Sequence, residues 1–209
     1  IMLLEALGLP APEYAHIALV MDAYGTLLSK RIFSQSVGDL RAAGYLPAAL
    51  HNYLARLGHT YDANAFMDLQ VLADNFDISR LHRAPARYDE AQLHHWQREA
   101  VLHLPSEILW TWVGNETHRW VPAASRDAFI EAVRGNLMFP ADALHWAQVL
   151  FSTDFNISHA ASEAVCAAGA DFFAAALKAL EVQGTGFKAL AETLKVATGK
   201  TGKALFQPL

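Results

Sequence analysis

The residues most suited to chemistry stand near the start of the chain, in the stretch Leu28-Ser29-Lys30-Arg31. A lysine ammonium is a mobile point charge that suits phosphate oxygens, and an adjacent hydroxyl adds a hydrogen-bond donor. The stretch follows a turn at Gly25, but no glycine-rich phosphate loop precedes it and no obvious catalytic partner lies nearby in the sequence. Taken alone, these residues fit a solvated basic turn better than a phosphate site.

Further cations are found in two places. Arg80, Arg83 and Arg87 precede a long helical region, and Lys200 and Lys203 lie among glycines near the end of the sequence. Such side chains can neutralise RNA phosphates and set the register of bound RNA, but they can also be a solvated helix face, which the residues alone favour. The formal net charge of −5 argues mildly against a nucleic-acid partner, although the distribution of charge matters more.

The histidines are a weaker candidate for chemistry. His94, His95 and His103 stand near Glu90 and Glu99. Adjacent residues on a helix point about 100° apart and cannot chelate one ion together, and a single pair one turn apart does not make a metal site. We therefore predict surface or half-buried histidines and no bound metal.

The five tryptophans could stack on unpaired bases or pack in the core. Most of them fall in apolar helical stripes, which favours the core. Trp112 and Trp120 lie nearest to loop-like sequence and are the best candidates for stacking on RNA.

Cysteine content and hydropathy indicate the cellular compartment in which the protein is expected. The chain of 209 residues has one cysteine, Cys166, which excludes a disulfide framework and favours the cytoplasm. We predict a buried, inert thiol, because no basic residue flanks it. No apolar run approaches the ~20 residues that span a bilayer, and the first residues make a poor signal peptide, so no membrane partner is expected.

The elements that must position these residues are mostly helices. A strand is predicted at residues 16–21, followed by a turn at residues 22–25 in which Gly25 takes a positive φ. Ser36 and Asp39 form a capping box, and Pro47 stands near the start of a helix whose buried stripe is Leu50, Tyr53, Leu54 and Leu57. Further helices are predicted at residues 93–104, 125–137 with Ser125 as N-cap, 141–151, 158–180 and 187–197, the last of these stopped by Gly199.

These elements predict a mainly α protein, a helical bundle or helix cage, in three parts. Residues 1–33 hold the strand and the Ser29-Lys30-Arg31 stretch, residues 34–75 are helical, and residues 76–209 have almost no strand signal. The hydrophobic fraction of 53% and charged fraction of 18% are those of an ordinary folded protein.

Longer motifs change the interpretation of the basic stretch. Residues 27–31, LLSKR, match the pattern K-[LM]-S-K-R except at its first position, and residues 44–54, GYLPAALHNYL, match G-Y-L-P-x-A-L-x-N-Y-L. The segments APARYDEAQLHHW at 84–96 and TGKTGKALFQPL at 198–209 follow in the same order. With these motifs the chain resembles bacterial glutamyl-tRNA synthetase, a class I aminoacyl-tRNA synthetase, from end to end.

The resemblance implies a function for each part. Ser29, Lys30 and Arg31 would contact the triphosphate of ATP, with Lys30 as the catalytic residue that steadies negative charge on the phosphates. Residues 1–33 would be the end of a Rossmann-type catalytic domain, residues 34–75 stem-contact helices, and residues 76–209 a truncated all-α helical-cage domain that binds the anticodon. Arg80, Arg83, Arg87, Lys200 and Lys203 would then contact tRNA.

Two departures from the family pattern limit what this chain should do alone. Leu27 stands where the family loop begins with lysine, and the histidine motif H-I-G-H of class I enzymes is absent. We therefore expect a C-terminal fragment of a monomeric glutamate–tRNA ligase, inactive alone and binding no cofactor alone, whose parent uses glutamate, tRNA and ATP with Mg²⁺.

Two other classes of function remain open. The chain could be a non-catalytic tRNA-binding module or paralogue in which Leu27 marks decay of the ATP loop, or a helical protein-interaction domain without an RNA partner. The scarcity of strands argues against the related glutamine enzyme, whose anticodon domain is a β-barrel. Whether the parent charges glutamine tRNA as well as glutamate tRNA does not follow from the motifs.

Overall fold

The computed structural model describes residues 1–14, 16–22, 24–28, 36–153, 158–184 and 186–209. The chain divides into two compact units, Ile1–Ser152 and Thr153–Leu209. Across the described residues, helices dominate, which confirms the predicted fold class. In that part of the chain no helix is both long and apolar enough to cross a membrane.

The first unit holds eight α-helices, three short 3-10 helices and two short strands within its described residues. In chain order the elements are α1 (Met2–Ala6), β1 (Val20–Met21), α2 (Val37–Ala42), α3 (Pro47–Arg56), α4 (Leu69–Asp74), a 3-10 helix (Ile78–Arg80), β2 (Ala86–Arg87), α5 (Glu90–His103), α6 (Ser106–His118), a 3-10 helix (Ala123–Ser125), α7 (Arg126–Val133), a 3-10 helix (Arg134–Asn136) and α8 (Pro140–Phe151).

The predicted strand at residues 16–21 is shorter in the structure. Only Val20 and Met21 form β1, which pairs in parallel with β2 in the register Val20↔Ala86 and Met21↔Arg87. Ile17 is 78% exposed. The apolar run is therefore longer than the strand, because β2 offers it only two residues to pair with.

Local capping signals are confirmed where α2 and α3 begin. The Ser36 hydroxyl accepts from the Asp39 N–H (3.1 Å), and the Asp39 carboxylate accepts from the Ser36 N–H (2.8 Å). Pro47 is the first residue of α3, where its missing N–H leaves no partner unsatisfied.

The predicted buried stripe of α3 is wrong at Leu54, which is 55% exposed. The prediction is confirmed at Tyr53, which shares the buried face with Ala49 and Asn52. Leu50, Leu54 and Leu57 line an open, largely apolar pocket of about 590 Å³ on the neighbouring face. A polar residue, Asn52, thus takes the place in the core that hydrophobic periodicity gave to a leucine.

Asn52 is buried because all of its hydrogen-bonding groups have partners. Its Nδ2 donates to the carbonyls of Ala48 (2.9 Å) and Met67 (2.7 Å), and its Oδ1 accepts from the Met67 N–H (3.0 Å). The Arg56 guanidinium also donates to Oδ1 (3.0 Å) and lies 4.1 Å from the centre of the Trp96 ring. Burial lowers the pKa of Arg56. These contacts fix the loop before α4 on α3.

The turn between α2 and α3 is tightly constrained. Gly44 has φ +94°, and a Cβ added there would lie 2.6 Å from Cδ of Pro140. The Gly44 carbonyl accepts from the Trp112 indole (3.0 Å) and from Nε2 of Gln97 (3.3 Å). Only glycine combines this backbone conformation with so close an approach of another chain segment.

Gln97 joins that turn to two other parts of the unit. Its side chain is fully buried on α5, beside Trp96. Oε1 accepts from the Leu46 N–H (2.9 Å), and Nε2 donates to the Met138 carbonyl (2.8 Å) as well as to Gly44. One amide therefore satisfies backbone groups from the α2–α3 turn and from the segment that leads into α8.

The apolar stripe of α5 is confirmed, α6 was not predicted, and α7 is shorter than the predicted helix. Leu93, Trp96 and Val101 are buried. In α6, Gly114 has non-helical φ and ψ of 83° and 169°, which puts a kink in the helix. Within the predicted helix at 125–137, the α-helix ends at Val133 and a 3-10 helix follows it. The predicted N-cap residue, Ser125, makes no side-chain cap bond.

The second unit consists of α9 (His159–Ala168), α10 (Ala170–Gln183), α11 (Phe187–Thr198) and α12 (Lys203–Phe206) within its described residues. The single helix predicted at 158–180 is wrong, because Gly169 takes φ +81° and breaks it. Cys166, predicted to be buried, is exposed. The Gly199 stop is confirmed as a left-handed C-cap.

Substitution of Gly44 by alanine tests the α2–α3 turn. The added methyl meets Pro140 and the positive φ is strained for any L-residue, so we expect Gly44→Ala to lower the free energy of unfolding by roughly 2–4 kcal/mol. Gly135→Ala is the control, because its Cβ meets open space. Urea denaturation of both variants measures the difference, and equal stability would contradict the role of Gly44.

Alkaline pH tests the contact between α3 and α5. The Tyr53 hydroxyl accepts from the Asp89 N–H (2.9 Å), and burial raises the pKa of Tyr53 from 10.0 to about 12. Between those pH values the unfolded chain has lost this proton and the folded chain retains it, so stability must fall as pH rises. In urea titrations the fall should be smaller in Tyr53→Phe than in Tyr24→Phe, because Tyr24 is 91% exposed.

Candidate functional site

A tight hairpin leads to the Ser29-Lys30-Arg31 stretch. Asp22 Oδ1 accepts from the N–H groups of Tyr24 (2.9 Å) and Thr26 (2.8 Å). The Asp22 N–H donates to the Thr26 carbonyl (2.8 Å), and Gly25 takes φ +84°, which confirms the predicted turn. The Leu28 N–H donates to the Val20 carbonyl (3.2 Å), so the backbone is fixed up to the residue before Ser29.

The predicted ATP-binding residues Ser29, Lys30 and Arg31 lie outside the described residues. Their role therefore stays a prediction. Leu27, which stands in place of the family's lysine, forms an antiparallel bridge with Met21 and is 49% exposed. A longer, charged side chain at this position would thus meet solvent.

Arg87 lies on the same strand pair as this hairpin. Met21 pairs with Leu27 on one side and with Arg87 on the other, and the Tyr88 N–H donates to the Met21 carbonyl (2.7 Å). The side chains of Arg83 and Arg87 are exposed and make no ion pair within the described ranges. The proximity of Arg87 to the hairpin was not predictable from local patterns, because the pairing joins segments far apart in the chain.

Arg80 is exposed in part but already has a partner. Its Nη1 lies 2.7 Å from Oδ1 of Asp62. The hydrogen bond to Asp62 and its charge raise the pKa of Arg80. The three arginines of this segment are therefore not equivalent, although all three are near one another in sequence.

The two C-terminal lysines differ in the same way. Lys200 Nζ donates to the Ala168 carbonyl (2.9 Å) at the end of α9 and lies 4.9 Å from the centre of the Phe172 ring. Lys203 is exposed at the start of α12 and makes no ion pair in the described part of the chain. Lys200 thus has a structural role in the second unit, and Lys203 remains available to a ligand.

The tryptophans are largely part of the core. Trp96 is 3% exposed. Trp112 is half-buried, and its indole N–H donates to the Gly44 carbonyl. Trp110 stacks on His118 with ring centres 4.1 Å apart. Trp120, 39% exposed, remains the candidate for stacking on a base.

The histidines are placed as predicted at the surface or half-buried on α5, where His95 is exposed and His94 is half-buried. Among the described residues no group of three or more His, Cys, Asp or Glu side chains could hold a metal ion. His59, by contrast, is buried against Tyr61 and Phe76, with ring centres 4.4 and 4.9 Å away. The sequence analysis did not predict the burial of His59, Gln97 and Asn52, because none of them stands in an apolar run.

Comparison with known proteins shows what the first part of the chain is similar to. Residues 1–95 match the family model described as tRNA synthetases class I (E and Q), catalytic domain. That range includes the Asp22 hairpin, the Ser29-Lys30-Arg31 stretch and the segment of Arg80, Arg83 and Arg87. The first part of the chain is therefore similar to the catalytic domain of class I aminoacyl-tRNA synthetases.

Two relatives that match the whole chain are both named glutamate–tRNA ligases. The chain is 52% identical over all 209 residues to glutamate–tRNA ligase 2 of Nitrosococcus oceani and covers 44% of that protein. It is 45% identical over its full length to glutamate–tRNA ligase 1 of Halorhodospira halophila, of which it covers 43%. The chain thus spans less than half the length of these relatives.

A solved structure shows the same fold. A glutamate–tRNA ligase from Elizabethkingia meningosepticum, in complex with its amino acid, matches 99% of this chain and 46% of its own length with a TM-score of 0.72. The sequence identity in that match is 20%, so the likeness concerns the fold.

Substitution of the two C-terminal lysines tests which of them stabilises the fold. Lys200→Met removes the hydrogen bond to Ala168 and the contact with Phe172, and we expect it to cost about 1–2 kcal/mol of stability. Lys203→Met, the matched control on an exposed side chain, should change stability by less than about 0.5 kcal/mol. Thermal unfolding followed by circular dichroism compares them, and an equally stable Lys200→Met would contradict a structural role for Lys200.

Proposed function

We propose that the chain is part of a glutamate–tRNA ligase, the enzyme that uses ATP to attach glutamate to tRNA. The observation that carries this proposal is the 52% identity, over all 209 residues, to a protein of that name. Identity of this degree along the whole chain covers both units, so it supports one function for the entire sequence. The chain would be a C-terminal portion of a monomeric enzyme.

Ser29, Lys30 and Arg31 would contact the triphosphate of ATP, which enters with Mg²⁺ as a substrate of the full enzyme. Lys30 would stabilise the negative charge that develops on the phosphates while glutamate is activated. The Asp22 hairpin supports this role, because it fixes the backbone immediately before Ser29. This is catalysis by a positioned charge and needs no proton transfer from these residues.

The helical remainder would bind tRNA. Arg83, Arg87 and Lys203 are exposed and free of ion pairs within the described residues, which is the condition a phosphate contact requires. Arg80 would contribute once its pairing with Asp62 is broken, and Lys200 would act mainly by holding the second unit together. Residues 34–75 would approach the stem, and residues 76–209 the anticodon.

Leu27 favours a second candidate, a non-catalytic tRNA-binding paralogue. The loop of the family begins with a lysine, and Leu27 removes that cation beside the triphosphate. The two candidates share tRNA binding and differ only in whether ATP is activated.

The decisive experiment compares the chain alone with the full-length protein that contains it. The chain should bind glutamate tRNA with an affinity that falls as salt rises, and should not charge it. The full-length protein should charge tRNA with glutamate in the presence of ATP and Mg²⁺. Binding without charging by the full-length protein would favour the paralogue, and no salt-dependent binding by either would favour a protein-interaction domain.

Substitution of Lys30 in the full-length protein tests the ATP loop. Lys30→Ala should lower the rate of glutamate-dependent pyrophosphate exchange about 10²–10³-fold, because one positioned charge at the reacting phosphates is lost. Lys188→Ala, on a helix of the second unit, is the control and should exchange at the unaltered rate. Full activity of Lys30→Ala would remove Lys30 from the mechanism.

A further inference from the structure

We propose that Asp62 is an intramolecular competitor of RNA for Arg80. In the free protein Arg80 is neutralised by Asp62, and it joins the phosphate contacts of Arg83 and Arg87 only when a phosphate displaces the carboxylate. The inference rests on the proposed function, because it assumes that the segment of these arginines faces tRNA. It adds a residue, Asp62, that weakens binding.

Backbone pairing brings Asp62 and Arg80 together. His59 and Leu81 form an antiparallel bridge, and the His82 N–H donates to the Gly58 carbonyl (2.8 Å). The His82 ring and the Thr60 hydroxyl are 2.7 Å apart. The segment after α3 and the arginine segment therefore run side by side, which makes the meeting of the two charges a property of the fold.

The backbone of Arg80 is fixed from the other side as well. Asp77 is the N-cap of the 3-10 helix, where its carboxylate accepts from the Ser79 N–H (2.8 Å) and its carbonyl accepts from the Arg80 N–H (3.0 Å). The Arg80 side chain is 40% exposed and the Asp62 side chain 85% exposed. The guanidinium can thus change partners through rotation of side chains alone, without a change in the backbone.

The energetics allow the exchange. An ion pair between exposed side chains is weak, because water solvates both charges and salt screens them. A phosphate offers the guanidinium a bidentate, charge-assisted contact, and it is one of a series of negative charges that Arg83 and Arg87 attract at the same time. RNA should therefore displace Asp62 from Arg80. The free energy needed to break the pair between Arg80 and Asp62 lowers the affinity of the protein for RNA.

The negative charge of Asp62 also affects RNA binding directly. Asp62 would repel an approaching phosphate even without Arg80, so a single substitution of Asp62 cannot show competition. A double-mutant cycle separates the two effects, since competition predicts that the contribution of Arg80 to binding depends on whether Asp62 is present.

The experiment measures the dissociation constant of the chain for transcribed glutamate tRNA, for wild type, Asp62→Asn, Arg80→Gln and the double variant. Arg80→Gln should weaken binding less than about twofold in the wild-type background and about three- to tenfold in the Asp62→Asn background. Asp127→Asn, which removes an exposed carboxylate beside Arg126, is the matched control for a change of one charge.

Two results would overturn the inference alone. One is an equal effect of Arg80→Gln in both backgrounds, and the other is a gain in Asp62→Asn no larger than that in Asp127→Asn. A wild-type chain without salt-dependent tRNA binding would overturn the proposed function together with the inference. Thermal melts of all variants verify that each is folded. This is expected because the exposed pair of Arg80 and Asp62 contributes little to folding stability.

Discussion

The buried amide of Gln97 is the interaction on which the first unit depends. A polar side chain in a core must find partners for all its groups, or its burial costs more than it contributes. Gln97 meets this condition with Leu46, Gly44 and Met138, so three chain segments have to be in place together. In the motif GYLPAALHNYL, Gly44 and Leu46 bond to Gln97 directly, whereas Asn52 is buried through a separate set of bonds to Ala48 and Met67.

The basic residues show that charge in a sequence and charge available to a ligand are different quantities. Of the cations considered for RNA, Arg80 is paired with a carboxylate and Lys200 is bound to a helix terminus, whereas Arg83, Arg87 and Lys203 have neither kind of partner among the described residues. The net charge of the chain describes none of this. For a protein of negative net charge, evidence for RNA binding comes from the number of unpaired cations on one segment of the chain.

Features set by neighbours in sequence were predictable, and features set by distant contacts were not. The Ser36 capping box, Pro47 at a helix start and the Gly199 stop follow from backbone groups within a few residues, and the structure confirms them. The exposure of Leu54 and the buried place of Asn52 depend on Met67 and on what α3 packs against. The break at Gly169 was missed because an alanine-rich run tolerates one glycine at a cost of only about 1 kcal/mol, so the run alone does not show whether the helix continues.

The Gly44 turn also bears on where this protein can be divided. The match to the catalytic-domain family ends at residue 95, yet the groups that complete the turn, Gln97, Trp112 and Pro140, all lie beyond it. A piece cut at that homology boundary would carry an unpaired carbonyl and an exposed apolar α3 into solvent. The limit of the recognised domain is therefore not a folding limit. A separable piece therefore has to include α5, α6 and at least the start of α8, where those three residues lie.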